Sequence, residues 1–322
     1  MKQLTMFEIR IPACNRPKML RRALNSLQVQ TYPHWTATVF DDSTSPEPKE
    51  VVESFGDHRI SYLRNHQRLG AAVNIDQCFS PTQRAGGNYA CLLEDDNFWL
   101  PDFLSLVACQ LETGNWSLIL ANQRVSEEGV SLRPATETTR GDWFSAGCVS
   151  PLELRATLLF MEGLSNGGLV WELDGETDLR VGFNVRETGL HEACRSLLVV
   201  SPFLFIEEPQ AVWTLMPKSN TARVTESNRM INRGMQSIRD FVLRVHGDAV
   251  VSAARALALR LGLASQLVES LAYNGCPNLA GEFLRRRLIL ASRAFVKGLA
   301  IRFIEKDPCA AFLKSVPTSI IS

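Results

Sequence analysis

Short apolar runs alternate with amphipathic segments along the first part of the chain. Between the runs, apolar residues recur every three or four positions, which predicts helices, and the runs themselves predict buried strands. The predicted strands cover residues 7–11, 35–40, 60–63, 89–93, 116–121 and 197–206. Strands that alternate with helices at this spacing are typical of a Rossmann-like, mostly parallel sheet with helices on both faces. The pattern therefore predicts an α/β fold, with a polar loop or hairpin at residues 123–145.

The pattern changes at about residue 229, where helical periodicity replaces the alternation. The predicted helices cover residues 238–245, 253–263 and 266–273, and a long amphipathic helix covers 279–304. Residues 281–306 contain seven basic and two acidic side chains. Such a surface could lie on an anionic membrane or be an ordinary surface of a helical pack. We therefore predict a first domain at 1–228 and a helical C-terminal region at 229–322.

Acidic side chains follow two of the predicted strands directly. Asp41 and Asp42 end the second strand, and Glu94, Asp95 and Asp96 follow the fourth. Carboxylates packed this closely repel one another unless a positive charge lies among them. A hard divalent cation, Mg²⁺ or Mn²⁺, is the natural partner of such oxygen ligands and would also bind phosphate. The alternatives are a solvated acidic loop and helix capping.

Polar groups also follow the first strand. Pro12 is expected to end that strand, and Asn15 and Arg16 lie in the loop behind it. Ligands of parallel sheets bind outside the carboxyl ends of the strands, so these groups and the acids of the later strands should converge on one site. Gly167 and Gly168 form a predicted turn that permits close approach of the backbone to a ligand.

The composition excludes several classes of protein. The 322 residues are 45% hydrophobic and include 34 basic and 34 acidic side chains, so no net charge favours nucleic acid as a partner. None of the eight cysteines belongs to a CxxC pair, which is typical of a reduced, cytoplasmic protein. The first ten residues contain no apolar signal segment, and no run of about eighteen apolar residues predicts a membrane span.

Four stretches of the chain resemble the family 2 glycosyltransferases, which have the glycosyltransferase A fold. They read IPACNRPKMLRRALNSLQVQTYPHW, VFDDSTS, RISYLRNHQRLGAAVN and LLEDDNFWLPDFL. The resemblance covers residues 5–122 and returns weakly at 163–215. It implies an inverting enzyme that takes a sugar from a nucleoside diphosphate sugar. In that interpretation the catalytic domain is 1–228, with a nucleotide-sugar-binding half at 1–122 and an acceptor half at 123–228.

The resemblance assigns nucleotide-binding roles by position. Pro12, Asn15 and Arg16 would line the nucleotide pocket. Asp42 would accept a hydrogen bond from the nucleobase, and Asp41 would support that turn. A uridine diphosphate donor is expected.

The resemblance also assigns residues to the diphosphate and the metal. Arg68 would face the diphosphate, Asp95 would touch the ribose or the metal, and Asp96 would be the main ligand of Mn²⁺ or Mg²⁺. Glu94 belongs to the predicted nucleotide-sugar site with them. A cation there would stabilise the charge that develops on the leaving diphosphate.

The catalytic base departs from the family pattern. Members often have a Glu-Asp pair about six or seven residues before an arginine, but the matching places before Arg195 hold Thr188 and Gly189. Inversion needs a carboxylate within hydrogen-bond reach of the acceptor hydroxyl, which makes Glu187 and Glu192 the candidates. Glu187 could instead favour the start of a helix.

The expected acceptor is a saccharide or a lipid-linked saccharide, in cell-surface polysaccharide synthesis. The expected location is cytoplasmic, with peripheral contact to the inner face of the membrane and oligomer formation as open alternatives. Lys218 could serve the phosphates in place of the family's late histidine. Two other functions compete. One is a nucleotidyltransferase, which the lack of glycine in residues 13–17 disfavours, and the other is a non-catalytic nucleotide- or sugar-binding protein.

Overall fold

Nine strands and eleven helices form the described part of the chain, which a computed structural model gives as residues 4–127, 136–175, 178–215, 222–285, 287–304 and 306–316. The strands are β1 (Phe7–Ala13), β2 (Trp35–Asp41), β3 (Ile60–Arg64), β4 (Tyr89–Leu92), β5 (Phe98–Trp99), β6 (Leu118–Glu127), β7 (Gly147–Val149), β8 (Leu169–Glu172) and β9 (Phe203–Leu215). The helices are α1 (Pro17–Gln28), α2 (Glu47–Phe55), α3 (Ala71–Gln77), α4 (Phe103–Thr113), α5 (Pro151–Thr157), α6 (Thr188–Leu198), α7 (Ala222–Leu261), α8 (Ala264–Tyr273), α9 (Glu282–Arg285), α10 (Leu288–Ile304) and α11 (Ala310–Ser315).

The strands form one sheet in the order β3-β2-β1-β4-β8-β6-β9-β5, and β7 pairs with β9. The pairs β1–β2, β1–β4, β2–β3 and β6–β9 are parallel, whereas β8 and β5 pair antiparallel. This confirms the predicted mostly parallel α/β sheet. Strand β1 lies near its centre and is buried along its whole length, as expected for a strand covered on both faces.

Strand β1 continues through Pro12 to Ala13, so the prediction that Pro12 ends the strand is wrong. The pairing of β1 with β4 stops at Arg10, while its pairing with β2 runs on to Ala13. The Arg10 carbonyl accepts from the β4 side and the Ala13 carbonyl accepts from the β2 side. Pro12 therefore faces the side where the pairing has already ended, and its missing N–H removes no hydrogen bond from the sheet.

A buried ion pair within β1 holds the segment that leads into β4. Glu8 and Arg10 are both buried, and their charged groups are 3.1 Å apart. Arg10 donates to the carbonyls of Cys78 and Ser80, at 2.7 and 2.8 Å, and Glu8 accepts from the Gly87 amide at 2.8 Å. These bonds satisfy both charges and fix the approach to the strand that delivers the acidic triplet.

Two predicted segments are organised differently in the structure. Helix α6 extends to Leu198 and β9 begins only at Phe203, so the prediction of a strand from residue 197 is wrong at its start. In the polar segment 123–145, β6 continues to Glu127 and Arg124 forms an antiparallel bridge with Thr138. Of the two alternatives for this segment, the described residues favour the hairpin.

The predicted long helix over 279–304 is also interrupted. A 3₁₀ turn at Pro277–Ala280 and the short helix α9 precede α10. Gly281 lies between the turn and α9 with φ at +60°, a conformation that favours glycine. In the same way Gly247, with φ at 49° and ψ at −130°, interrupts α7.

The chain divides into two compact units. The sheet unit comprises the described residues within 1–148, 165–180 and 203–218, and the helical unit comprises those within 149–164, 181–202 and 219–322. Residues 149–164 and 181–202 precede the predicted boundary at residue 228 but belong to the helical unit. The division into a nucleotide-sugar-binding half and an acceptor half stays a prediction. Among the described helices, none is both long and apolar enough to cross a membrane.

Candidate functional site

The acidic triplet and the first loop meet at the carboxyl ends of β1 and β4. The amide of Cys14, directly after β1, donates to Asp95 Oδ2 at 2.9 Å. Asp95 follows β4 and is only 4% exposed. The parallel pairing of the two strands brings their ends to the same edge, as the sequence predicts.

Arg16 joins the two aspartates of the triplet. Its Nη1 atom donates to Asp95 Oδ1 at 2.9 Å and to Asp96 Oδ2 at 2.6 Å. The side chain of Asp96 is 18% exposed and that of Arg16 is 43% exposed, so the pair opens to solvent on the Asp96 side. A single guanidinium thus offsets the repulsion between two adjacent carboxylates.

Burial raises the pKa of the Asp95 carboxyl to about 6, from an ordinary value of 3.8. Arg16 opposes this shift and the neighbouring Asp96 charge adds to it. The raised pKa means that the ionised form is poorly solvated where it lies. A cation brought to this carboxylate would therefore gain more than one brought to a solvated acid.

Asp42, at the end of β2, binds the loop that precedes α3. Its Oδ1 atom accepts from Asn65 Nδ2 at 3.0 Å and from the Leu69 amide at 2.7 Å. Its Oδ2 atom accepts from the Gly70 amide at 2.8 Å. A carboxylate has about four acceptor positions, so Oδ2 retains one for a further donor. The predicted contact with a nucleobase stays a prediction.

Asp41 is fully buried and its carboxylate is used within the protein. Oδ1 accepts from the Ser43 amide at 3.0 Å, and Oδ2 accepts from the Tyr62 hydroxyl at 2.6 Å. Burial and the Asp41 carboxylate together raise the pKa of Tyr62. Asp41 therefore supports the turn after β2, and its place in the nucleotide-sugar site stays a prediction.

Asn15 fastens the loop after β1 to the loop after β2. It adopts a positive φ of 53°, which asparagine tolerates better than most residues. Its amide donates to Ser43 Oγ at 2.7 Å, and its Oδ1 atom accepts from the Thr44 amide at 3.1 Å. The residue thus shapes the predicted pocket, and its Oδ1 is occupied by backbone.

Cys14, which the sequence interpretation did not single out, lies at the centre of these groups. Burial raises the pKa of its thiol, Arg68 opposes that shift, and the charges of Asp42 and Asp95 add to it. The exposed Arg68 therefore lies within interaction distance of the same edge. No sequence motif marks Cys14 as a site residue, and only its place in the loop after β1 could have indicated it.

Glu94 is directed away from the Asp95–Asp96 pair, into a polar cluster around the Gly167–Gly168 turn. Its Oε2 atom accepts from Asn97 Nδ2 at 2.7 Å. A Cβ atom built on Gly167 would lie 3.3 Å from that oxygen and 2.7 Å from Gln123 Nε2. At Gly168 such an atom would lie 2.1 Å from the Ala121 carbonyl oxygen. The close approach that this turn permits is therefore to strand β6, whereas the sequence interpretation expected a ligand there.

Arg22 on α1 is a second group that the sequence did not mark. Its Nη2 atom donates to the Asp96 carbonyl at 2.5 Å and to Thr214 Oγ1 at 3.1 Å. Its guanidinium also lies 5.0 Å from the centre of the Phe98 ring. Arg22 thereby positions the backbone that carries Asp96.

A metal ion at this edge of the sheet would be coordinated by few protein side chains. Among the residues described, no group of three or more histidine, cysteine, aspartate or glutamate side chains converges to hold a metal ion. Mg²⁺ is commonly held by one or two carboxylates, with substrate phosphates and water as the other ligands. Asp95 and Asp96 fit that role because both carboxylates already contact one cationic group, Arg16.

The two candidate bases belong to the helical unit. Glu187 is the residue before the first turn of α6, is half-buried, and makes no side-chain capping hydrogen bond. Glu192 is a half-buried residue inside α6, and its carbonyl accepts from Ser196 Oγ at 2.7 Å. The position of Glu187 at the start of α6 leaves its predicted roles, as a base or as a charge that favours the helix start, as predictions. Lys218 lies outside the described residues.

The first half of the chain is similar to sequences of a known protein family. Residues 8–156 match the family described as Glycosyl transferase family 2. WcaA of Escherichia coli K12, to which a glycosyl transferase role in colanic acid biosynthesis is ascribed, is 31% identical over 139 residues, covering 42% of this chain and 49% of WcaA. WfgD of Escherichia coli, a UDP-Glc:α-D-GlcNAc-diphosphoundecaprenol β-1,3-glucosyltransferase, is 26% identical over 120 residues, covering 37% of this chain and 46% of WfgD. The chain thus spans about half the length of these relatives.

Solved structures resemble the chain over most of its length. Residues 1–349 of TarS from S. aureus match with a TM-score of 0.57 at 13% identity, covering 91% of this chain and 88% of that one. The mannosyltransferase PcManGT of Pyrobaculum calidifontis, solved with GDP-Man and Mn²⁺, matches with a TM-score of 0.50 at 13% identity, covering 95% and 89%. At such identities the similarity concerns the fold, and it confirms the predicted glycosyltransferase A type.

Proposed function

Residues 8–156 match the model of glycosyl transferase family 2, and from that similarity we propose that the chain transfers a sugar from a nucleoside diphosphate sugar to an acceptor hydroxyl. One observation carries the proposal. The carboxylates of Asp95 and Asp96, bridged by Arg16, lie at the sheet edge where the family-matched segment also places Asp42. Anionic and nucleotide ligands bind at this edge in open α/β sheets.

The proposed donor is a uridine diphosphate sugar. WfgD is named for UDP-Glc, and TarS has been solved with UDP, at a TM-score of 0.56 and 14% identity to this chain. In this chain the remaining acceptor position on Asp42 Oδ2 suits a ring N–H, which uracil has. Arg68 supplies a cation for the diphosphate, and Asn15 shapes the wall between the first two loops.

Asp95 and Asp96 are proposed to hold a divalent cation, Mn²⁺ or Mg²⁺, together with oxygens of the diphosphate. The cation, when bound, offsets the negative charge that grows on the leaving diphosphate. The Arg16 guanidinium contacts both carboxylates, so it competes with the cation for the same oxygens. Arg22 keeps the Asp96 backbone in place through its bond to the carbonyl.

The proposed acceptor is a lipid-linked saccharide, and the proposed outcome is inversion at the transferred sugar. WfgD is named for an acceptor on diphosphoundecaprenol and for a β-1,3 linkage. Inversion by one displacement needs a carboxylate that removes the proton from the acceptor hydroxyl. We assign that task to Glu187 before Glu192, because Glu187 is the acid closest to the positions of the family's acidic pair, which Thr188 and Gly189 hold here.

The helical unit is proposed to contact the inner face of the membrane peripherally. Helix α10 exposes large apolar side chains, among them Ile289 at 74%, Val296 at 66% and Phe303 at 87%. The same helix carries Arg293 and Lys297, which suit an anionic lipid surface. The exposed apolar side chains would enter the interface while the basic ones contact the lipid headgroups.

The test of transfer is the release of UDP from UDP-glucose with Mn²⁺, compared between the wild type, Asp96→Asn and Asp174→Asn. Asp174 is a matched control, because its side chain is 81% exposed and pairs with Arg84 in the same unit. We expect Asp96→Asn to weaken Mn²⁺-dependent UDP binding by about tenfold or more, and Asp174→Asn to leave it unchanged. Calorimetry measures the binding and a coupled assay measures the UDP.

The outcomes separate the competing functions. Binding of UDP-glucose without release of UDP, across a range of saccharide and lipid-linked acceptors, would favour a non-catalytic binding protein. Release of pyrophosphate from a nucleoside triphosphate would favour a nucleotidyltransferase. Equal UDP affinity in the wild type and Asp96→Asn would contradict the assignment of the metal ligand.

A further inference from the structure

The helical unit contains a cavity that the proposed transfer reaction does not use. Its volume is about 400 Å³, within the range of about 300–1,000 Å³ that is usual for ligand sites. It lies between α7, α8 and α10 and is closed on one side by the 3₁₀ turn at Leu158–Phe160. Sites between the helices of a bundle are a common place for ligands.

Regular spacing on two helices builds the walls. On α8, Gln266, Glu269, Ser270 and Tyr273 line the cavity, and on α10 Leu290, Arg293, Ala294 and Lys297 do so. Both sets follow the i, i+3, i+4, i+7 pattern, so each is one continuous face of its helix. The cavity is therefore lined by one continuous face of α8 and one continuous face of α10.

Polar groups inside the cavity lack the partners that burial normally requires. Arg239 of α7 is 6% exposed, and its Nε donates to the Leu158 carbonyl at 3.2 Å. Burial lowers the pKa of this guanidinium to about 10. Ser270, which is 7% exposed, and Tyr273 have buried hydroxyl oxygens with no hydrogen-bond partner among the described residues. Buried polar groups without partners point to a ligand or water that completes them.

The charge of the cavity is positive. Three basic side chains line it, Arg239 inside and the exposed Arg293 and Lys297 nearer the solvent; we call them the cation group. The exposed Glu269 is the one acidic residue among the lining residues, which leaves a net charge of +2 (three basic minus one acidic). A phosphate monoester carries about −1.5 to −2 at pH 7, so its charge matches that of the cavity.

The remaining lining is apolar. Leu159 and Phe160 come from the 3₁₀ turn, and Leu290 comes from the first turn of α10; we call them the apolar wall. A small inorganic anion would leave this wall unused, whereas an apolar chain would cover the half-buried Phe160 and Leu290 with a gain of about 25 cal/mol for each Å² removed from water.

We propose that the cavity binds a phosphate-bearing lipid, with its phosphate at the cation group and its chain along the apolar wall. Arginine and lysine together suit phosphate, the guanidinium as a two-pronged donor and the ammonium as a point charge. The proposal concerns binding by the helical unit and does not depend on sugar transfer. A polyprenyl phosphate and a phospholipid share this chemistry, so the experiment includes both.

The test is calorimetric titration of the full chain in EDTA, which keeps divalent cations from the sheet unit. The probes are farnesyl phosphate, dihexanoyl phosphatidic acid, farnesol and inorganic phosphate. We expect saturable one-to-one binding of at least one of the first two, and binding of farnesol and inorganic phosphate that is about tenfold weaker or more. Whichever of the first two binds more tightly identifies the source of the lipid.

Paired variants locate the site. Ala294→Phe fills the cavity, and Ser292→Phe adds the same ring at an exposed position of α10 outside the lining. Lys297→Glu reverses a charge of the cation group, and Lys306→Glu reverses an exposed charge elsewhere in the same unit. We expect the first member of each pair to weaken binding by about tenfold and the second to leave it within about twofold.

Several results would overturn the proposal. They are the absence of saturable binding, equal binding of farnesol or of inorganic phosphate, and wild-type affinity in Ala294→Phe. Thermal unfolding midpoints equal to that of the wild type show that the variants are folded. Asp96→Asn should bind the probe like the wild type, so a failure of the transfer function and a failure of this site give different results.

Discussion

At the scale of single residues, the site depends on which oxygen each charged group reaches. Arg16 shares one nitrogen between Asp95 Oδ1 and Asp96 Oδ2. The two carboxylate oxygens of Asp42 instead accept hydrogen bonds from Asn65 Nδ2 and from two backbone amides of the loop before α3. Two acidic clusters that look alike in the sequence therefore differ in chemistry, since one faces the Arg16 guanidinium and the other accepts from neutral side-chain and backbone donors.

The assignment of the base is tested at this scale. Glu187→Gln keeps the size and the hydrogen bonding of the side chain but removes the ability to take a proton. We expect the rate of sugar transfer to fall by about 10²–10⁴-fold, with UDP affinity unchanged, because the nucleotide ligands belong to the sheet unit. Steady-state transfer assays and calorimetry measure the two quantities.

Glu192→Gln is the comparison, because Glu192 is equally half-buried and lies on the same helix. Near-normal transfer by Glu187→Gln together with a large loss in Glu192→Gln would move the role to Glu192. Loss of UDP affinity in either variant would indicate a structural defect and remove the argument for a base.

At the scale of elements, the turn at Asn166–Gly168 is fixed by its contact with β6. A Cβ atom on Gly168 would meet the Ala121 carbonyl at 2.1 Å, a backbone atom that cannot rotate away. A Cβ atom on Gly167 would meet the end of the Gln123 side chain at 2.7 Å, which can move. The two glycines are therefore unequal although they are neighbours.

We expect Gly168→Ala to destabilise the protein by about 2–4 kcal/mol, as a forced backbone shift in a packed region does. Gly167→Ala should cost about 1 kcal/mol, because only a side chain has to yield. Thermal unfolding and denaturant titration of both variants measure the difference. Equal unfolding midpoints for the two would contradict the close packing of this turn on β6.

The Asp57–Arg59 pair in the turn before β3 should make the stability of the protein depend on pH. Arg59 donates to Asp57 Oδ1 through Nε at 3.1 Å and to Oδ2 through Nη2 at 2.7 Å. The hydrogen bonds from Arg59 lower the pKa of Asp57 from 3.8 to about 2. Because the folded-state pKa is lowered, the stabilisation is present above pH 3.8 and is lost as the pH falls towards 2.

Asp57→Asn should therefore lower the free energy of unfolding at pH 7 by up to about 1 kcal/mol, allowing for solvent screening of the pair. At pH 2.5 the variant and the wild type should differ by much less. Urea titrations at both pH values provide the measurement. A gap that widens as the pH falls would show that the pair is not the source of the stabilisation.

At the scale of the whole molecule, the chain enters each of its two units more than once. Residues 149–164 and 181–202 belong to the helical unit although residues 165–180 belong to the sheet unit. The core of the helical unit combines Leu158 and Leu197 with Phe241, Leu271 and Phe312. Removal of the residues after 275 would therefore expose that core.

Point variants of α10 test membrane contact without cutting the core. Ile289→Ser combined with Phe303→Ser removes two side chains that are 74% and 87% exposed. We expect the pair to weaken sedimentation with vesicles of phosphatidylcholine and phosphatidylglycerol by about tenfold. Leu259→Ser is the control, because Leu259 is 66% exposed on α7.

Wild-type protein that does not sediment with these vesicles would contradict the membrane contact, and so would equal binding to pure phosphatidylcholine. A loss in Leu259→Ser as large as that in the α10 variant would show that exposed apolar area in general, and not α10, is responsible.

The sequence by itself determined the mostly parallel sheet, the resemblance of its first half to family 2 glycosyltransferases and the strand ends where the acids lie. Apolar runs and helical spacing report which side chains are buried, and this is a local property of the chain. Because the carboxyl ends of parallel strands share an edge, the convergence of the first loop with Asp95 followed from order alone. The break at Gly247 falls between the predicted helices over 238–245 and 253–263. The break at Gly281 was not predicted, since helical periodicity continues across it.

Only the tertiary structure decided which partner each polar group has. The continuation of β1 through Pro12 depends on where its pairing with β4 stops, and the contact of Gly168 with Ala121 depends on how a turn packs on β6. The cavity lined by Arg239 likewise arises from three helices far apart in the sequence. These features depend on distances between residues remote along the chain, which a local pattern of apolar and polar positions does not contain.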